Sequence, residues 1–155
     1  MADDAELDRI INQWKTADAQ AKESREKADA QSRERRDQFS RWATDVAEPV
    51  LEAIAEQLRD AGVVAKVSTC RPRYTGNEPG PVHRVMLEIE AISAGKVRRG
   101  EVGFSLSAGG AQPAQQFARL PDGRSLEAAN QSTTAADVRT YVLEQIDAIL
   151  LREWR

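Results

Sequence analysis

The sequence predicts an α+β protein: a long N-terminal helix, a kinked second helix, an antiparallel three- or four-stranded meander sheet, and a C-terminal helix packed on one sheet face. Three observations carry this expectation. From Met1 to Glu48 there is no glycine and no proline, the residues that most often end helices. Past Gly62 the apolar spacing changes from helical to strictly alternating, the mark of half-buried strands. After Thr134 a broad apolar helical face returns.

The opening stretch is filled with Ala, Glu, Lys, Arg and Gln, all good helix formers. A helix from Ala5 to Arg41 would extend on the order of 55 Å. A chain of 155 residues cannot cover that length with its own core, so such a helix stands in solvent or packs against a partner. Leu7, Ile10, Ile11 and Trp14 fall at i, i+3, i+4 and i+7 and form a short apolar stripe. A seven-residue frame through Leu7, Trp14, Ala21, Ala28, Arg35 and Trp42 has Ile10, Ala17, Ser24, Gln31 and Gln38 as its second seam. Small and polar residues occupy the middle of both seams, which excludes a strong leucine zipper. Pairs such as Glu23 with Lys27 and Asp29 with Arg33 support an isolated helix by only about 0.2–0.5 kcal/mol each. The end stripes need burial somewhere. The expectation is therefore a weak coiled-coil appendage over residues 1–39, an Ala-lined hairpin or dimer stapled by Trp14 and Trp42. Residues 40–155 then form the α+β domain.

In the second helix Phe39, Trp42, Val46, Val50, Ile54 and Leu58 share a face, with Ala43, Ala47 and Leu51 beside them. Pro49 interrupts it. Proline removes the hydrogen bond to the carbonyl of Asp45 and clashes there, so a kink or a break falls between Thr44 and Glu48. Gly62 supplies the stop.

Val63, Ala65, Val67 and Thr69 alternate in a first strand. Val85, Leu87, Ile89 and Ala91 form one face of a second, with Arg84, Glu88 and Glu90 on the other. Val102, Phe104, Leu106 and Ala108 alternate with Glu101, Gly103, Ser105 and Ser107 in a third. Such alternation indicates an antiparallel sheet with one wet face. Ser93-Ala94-Gly95-Lys96 reads as the hairpin turn between the second and third strands. Gly109-Gly110 offers another turn, a fourth strand near Ala114–Arg119 has Phe117 as its only large apolar residue, and Pro121-Asp122-Gly123 is a further turn. Thr134 with Asp137 resembles a capping pair. Val138, Tyr141, Val142, Ile146, Ile149 and Leu150 then supply the last helix's apolar face.

Charge is uneven along the chain, whose formal net is −3. Residues 1–60 carry 10 basic and 15 acidic side chains, residues 61–124 carry 9 and 5, and residues 125–155 carry 3 and 5. A basic module lies between two acidic helical ones. It could attract anions or dock the chain's own acidic helices. Cys70, the only cysteine, permits no intrachain disulfide and reads as a small buried strand residue. No apolar run approaches the roughly 20 residues that span a bilayer. The acidic start Met1-Ala2-Asp3-Asp4 lacks the cationic and apolar segments of a signal peptide. No membrane partner and a cytoplasmic location are expected.

The long connection from Arg71 to Pro81 is the first place to look for chemistry, because loops of that length in small domains tend to be functional. Arg71, Arg73 and Tyr74 stand near one end, and His83 and Arg84 near the other. Two basic groups and a ring can clamp a phosphate and stack on a base. Lys96, Arg98 and Arg99 add positive charge at the next turn. Adjacent turns of a meander lie at opposite ends of a sheet, which favours two separate basic spots over one patch. His83, the only histidine, reads as a half-buried strand-end residue. A Cys70–His83 nucleophilic pair lacks an orienting third group. The Cys and His count cannot build a structural zinc site. Gly76-Asn77-Glu78-Pro79-Gly80 lacks the lysine of a phosphate-binding loop, and Gly103–Gly110 does not match a dinucleotide fingerprint. Glu88 and Glu90 on one strand face read as ordinary surface charge.

These observations point to a non-enzymatic interaction or oligomerisation protein with no metal and no cofactor. It would dock to itself or to a larger protein partner through Leu7, Ile11, Trp14, Phe39 and Trp42. Open sheet edges add a second route to pairing. The alternative is a nucleic-acid or polyanion binder using Arg71, Arg73, Tyr74, Arg84, Lys96, Arg98 and Arg99.

Overall fold

The glycine- and proline-free opening folds as a helix, α1 (Ala2–Trp42), in a computed structural model that describes residues 2–71, 80–106 and 114–152. The chain divides into two compact units, Met1–Glu34 and Arg35–Arg155. In the first unit, residues 4–34 are exposed apart from the partly buried Asp18 and Ser32. Ion pairs Glu6–Arg9, Asp18–Lys22 and Glu23–Lys27, at 3.5, 3.5 and 3.4 Å, run along this surface. Each supports the helix only weakly because both partners are solvated.

The second unit begins with the last turns of α1. There Phe39 faces inward and is only 5% exposed. The break required by Pro49 takes the form of a π-helical turn (Ala43–Ala47), in which the Glu48 N–H reaches back to the Ala43 carbonyl. The wider turn absorbs the donor that proline cannot supply. Helix α2 (Glu48–Asp60) follows and buries Leu51, Ile54 and Ala55. It stops at Gly62, whose φ of 87° is the left-handed conformation glycine favours. The Val63 N–H then donates to the Leu58 carbonyl at 2.9 Å, closing the end.

Five strands, not three or four, form an antiparallel meander in the order β1 (Val64–Cys70), β2 (Arg84–Ser93), β3 (Lys96–Ser105), β4 (Gln115–Arg119) and β5 (Ser125–Ala129). The additional strand, Ser-Leu-Glu-Ala-Ala, is exposed at every residue. It therefore carries no inside-outside alternation for sequence reading to detect. Register sets Val67 opposite Leu87, Leu87 opposite Val102, and Val102 opposite Ala118, one continuous apolar row on the face that receives the helices. Helix α3 (Ala135–Leu150) lies over β3 and against α2, with Val138, Val142, Ile146, Ala148 and Ile149 buried. Gly100 admits this approach, because a Cβ there would sit 2.6 Å from the Ile149 side chain. The capping pair is present: Thr134 Oγ1 accepts from the Asp137 N–H at 3.2 Å, and Asp137 Oδ2 accepts from the Thr134 N–H at 3.4 Å. The Gly109-Gly110 turn lies outside the described residues.

The opposite sheet face is less uniformly polar than alternation suggests. Phe117, opposite Gly103, is buried there beneath the Arg84 guanidinium, which sits 4.3 Å from the ring centroid. Val64, Ile92 and Val97 stand exposed on the same face. Among the described residues, no helix is long and apolar enough to cross a membrane.

Candidate functional site

The expected docking residues separate into two groups. Leu7, Ile10, Ile11 and Trp14 are 55, 51, 38 and 65% exposed, one above another on α1. This spacing covers a stripe about two turns long. Exposed large apolar side chains gathered on one face mark an interaction surface more than singly scattered ones do. Phe39 and Trp42 belong instead to the second unit's packed interior. Trp42 meets Phe104 edge-on at a centroid distance of 5.1 Å, and its Nε1–H donates to the Thr133 carbonyl at 3.1 Å. Phe39 stacks beside it at 5.9 Å. The helical period that places both on the α1 seam also places them on the α2 face, and core burial takes precedence.

The basic residues do not converge. Arg84 and Arg99 share the face away from the helices. Arg99 pairs with Glu90, six residues along β2 from Arg84, so the two are about 20 Å apart along the strand. Arg84 lies over Phe117 and 3.9 Å from Glu101. Arg99 Nε bonds Glu90 Oε2 at 3.2 Å. Arg98 faces the other side, where it donates to the Arg152 carbonyl at 2.6 Å. Lys96 is exposed beside the turn, in β3 itself rather than in a loop. Arg71 donates to the Gly80 carbonyl at 3.2 Å. Arg73 and Tyr74 lie outside the described residues.

His83 and Cys70 adjoin through the backbone, the His83 N–H donating to the Cys70 carbonyl at 2.9 Å. Strand parity sends their side chains to opposite faces, which removes a Cys–His pair. His83 has its pKa lowered, first by burial and then by the Arg36 charge, and its Nε2 has no hydrogen-bond partner among the described residues. Cys70 is exposed, contrary to the buried position expected of it, because it ends β1 on the face without helices. Among the described residues no group of three or more His, Cys, Asp or Glu side chains is placed to hold a metal ion.

Sequence pattern gives Ser132 no role and Ala114 only the start of a fourth strand, yet they come together with Leu106 beside Phe39 and Trp42 around a groove. Nothing local signals this, since the residues come from four separate stretches of chain. Comparison with protein-family models, with curated proteins and with solved structures gives no match.

Proposed function

We propose that this chain is a non-enzymatic interaction and oligomerisation protein whose N-terminal helix docks onto a second copy of itself. The observation that supports this reading is the exposed stripe of Leu7, Ile10, Ile11 and Trp14. Fully burying one such side chain stabilises by about 1.5–3 kcal/mol, and in the chain alone the stripe, 38–65% exposed, forgoes about half of that. Most helical stability in proteins comes from packing an amphipathic face, which gives pairing a further driving force.

Charge favours a second copy in antiparallel orientation. Residues 3–8 carry Asp3, Asp4, Glu6 and Asp8 and no base, whereas residues 33–41 carry Arg33, Arg35, Arg36 and Arg41 against Glu34 and Asp37. Antiparallel pairing opposes the acidic end of one helix to the basic end of the other and also opposes the helix dipoles, and it lays the stripe of each helix on the stretch around Ala28 and Gln31 of the other rather than on its counterpart. Parallel pairing would set four acids against four.

The test is helicity at 222 nm measured against protein concentration. The wild type should gain helicity as concentration rises and lose it on dilution. Leu7→Ser/Ile11→Ser should hold the lower value at every concentration. Helicity independent of concentration in both would reject self-docking through this stripe, and a gain in both would place the contact elsewhere. Capture of a larger partner by a monomeric wild type would reassign the occupant.

A further inference from the structure

We propose that strand β5 pairs with the β5 of a second copy, antiparallel about a two-fold axis at Leu126, and so joins two five-stranded sheets into one. β5 ends the sheet, and among the described residues no strand lies beyond it. Two hydrogen bonds fix which way its backbone faces. The Leu120 N–H donates to the Arg124 carbonyl and the Asn130 N–H to the Ala114 carbonyl, both at 2.8 Å. Backbone groups of an antiparallel strand alternate in direction, so Arg124, Leu126, Ala128 and Asn130 turn theirs toward β4. Ser125, Glu127 and Ala129 turn theirs outward, each with one donor and one acceptor at the open edge.

The other edge, β1, is blunted. Its Ala65 carbonyl already accepts from Arg59 Nε at 2.9 Å, and Lys66 stands exposed in the strand. Covering groups and edge lysines are the devices that discourage strand addition. β5, Ser-Leu-Glu-Ala-Ala, has no proline and no basic residue, and all of it is exposed. Helix α3 lies over β3 and leaves Leu126, opposite Ala118 on the helix face, 46% exposed.

Charge and side-chain type select a second copy as the occupant and fix one register, because outward-turned residues must oppose one another. An axis at Glu127 would set two Glu127 carboxylates directly opposite, which destabilises a pair. An axis at Ser125 would draw Gly123, a turn residue at a φ of 88°, into the ladder. An axis at Ala128 would set Leu126 against Asn130. An axis at Leu126 sets Leu126 against its own counterpart in the closer, non-hydrogen-bonded kind of pair. On the opposite face Ser125 then meets the other copy's Glu127. Arg119, the neighbour of Ser125 on β4, lies in line with that Glu127, so opposite charges span the seam. The edge is thus complementary to itself, as a two-fold contact requires. It is separate from the N-terminal stripe, so either contact can fail and leave the other in place.

The test is sedimentation equilibrium on the full-length chain carrying Leu7→Ser/Ile11→Ser, which removes the stripe and leaves the edge. This chain should still reach a two-chain mass as concentration rises, whereas the wild type, with both contacts engaged, assembles further. Adding Leu126→Lys or Leu126→Glu should weaken pairing by about tenfold or more. An equimolar mixture of those two should restore the two-chain mass, because only this register sets position 126 against itself. Glu127→Pro removes an outward N–H, spares the bonds to β4 and should abolish pairing. The Ser125 and Glu127 amides should exchange slowly in the paired chain and quickly on dilution. A single-chain mass for Leu7→Ser/Ile11→Ser at every concentration, unchanged pairing in its Leu126→Lys variant, or charge variants that do not recombine would each overturn the proposal. If the Leu126 variants do not fold, the two amides decide, and fast exchange at every concentration overturns it.

Discussion

At the scale of single residues, Ala94 and His83 carry the clearest consequences. Ala94 has a φ of 52° and Gly95 a φ of 78°, the two positive values that a two-residue hairpin of the twisted type requires. Glycine is at home there, but alanine in the left-handed region costs about 1–2 kcal/mol. Ala94→Asn, which tolerates this conformation, is expected to raise stability by about 1 kcal/mol in urea unfolding. A loss of stability would contradict the turn geometry. His83 gives a pH dependence. Its pKa is lowered in the fold, chiefly by burial, so between the folded and the unfolded value the unfolded chain binds the proton preferentially. Stability should therefore hold above the ordinary histidine value near ~6.5 and fall as pH drops through it. His83→Gln should flatten this region of the profile, and an unchanged profile would assign the dependence to other groups. The half-buried strand-end position of His83 is legible from parity. The exposed position of Cys70 was not, because strand propensity does not reveal which face receives the helices.

Secondary-structure elements that announce themselves locally were read correctly from their own residues. Helix α1 follows from the missing glycine and proline, the interruption between Thr44 and Glu48 from Pro49, α3 from Thr134 and Asp137, and β2 and β3 from alternation; that the interruption is a π-helical turn is visible only in the structure. Strand β5 escaped because an edge strand exposed at every residue has no face to declare. The groove escaped because Phe39, Leu106, Ala114 and Ser132 meet only through tertiary packing. Two substitutions test the elements. Thr134→Ala removes the side chain that caps α3 and should cost about 1 kcal/mol, measured as a lower unfolding midpoint at unchanged slope. Gly103→Ala should be far more damaging, because its Cβ would lie 2.3 Å from the Val85 carbonyl oxygen and 2.7 Å from the Met86 Cα. Backbone cannot step aside as a flexible side chain can, so a loss of more than about 3 kcal/mol is expected. A mild effect would mean that β2 and β3 separate more easily than their register implies.

For the whole molecule, the division into Met1–Glu34 and Arg35–Arg155 separates two tasks. The second unit holds a core of its own, from Phe39 and Leu51 through Val102 and Phe104 to Ile149, and substitutions on the N-terminal stripe should leave its unfolding unchanged. The first unit carries its large apolar side chains on the surface, and self-docking through them is the central proposal. Trp14, the largest and most exposed of the four, belongs to the residue types that dominate interfaces when truncated. Sedimentation equilibrium on the wild type and on Trp14→Ala tests this most directly. The wild type should show a mass above that of a single chain, rising with concentration. Trp14→Ala should weaken association by about 30-fold or more, the equivalent of roughly 2 kcal/mol, with the second unit still folded. A wild type of single-chain mass at every concentration, or a Trp14→Ala variant that assembles as the wild type does, would contradict docking through the stripe.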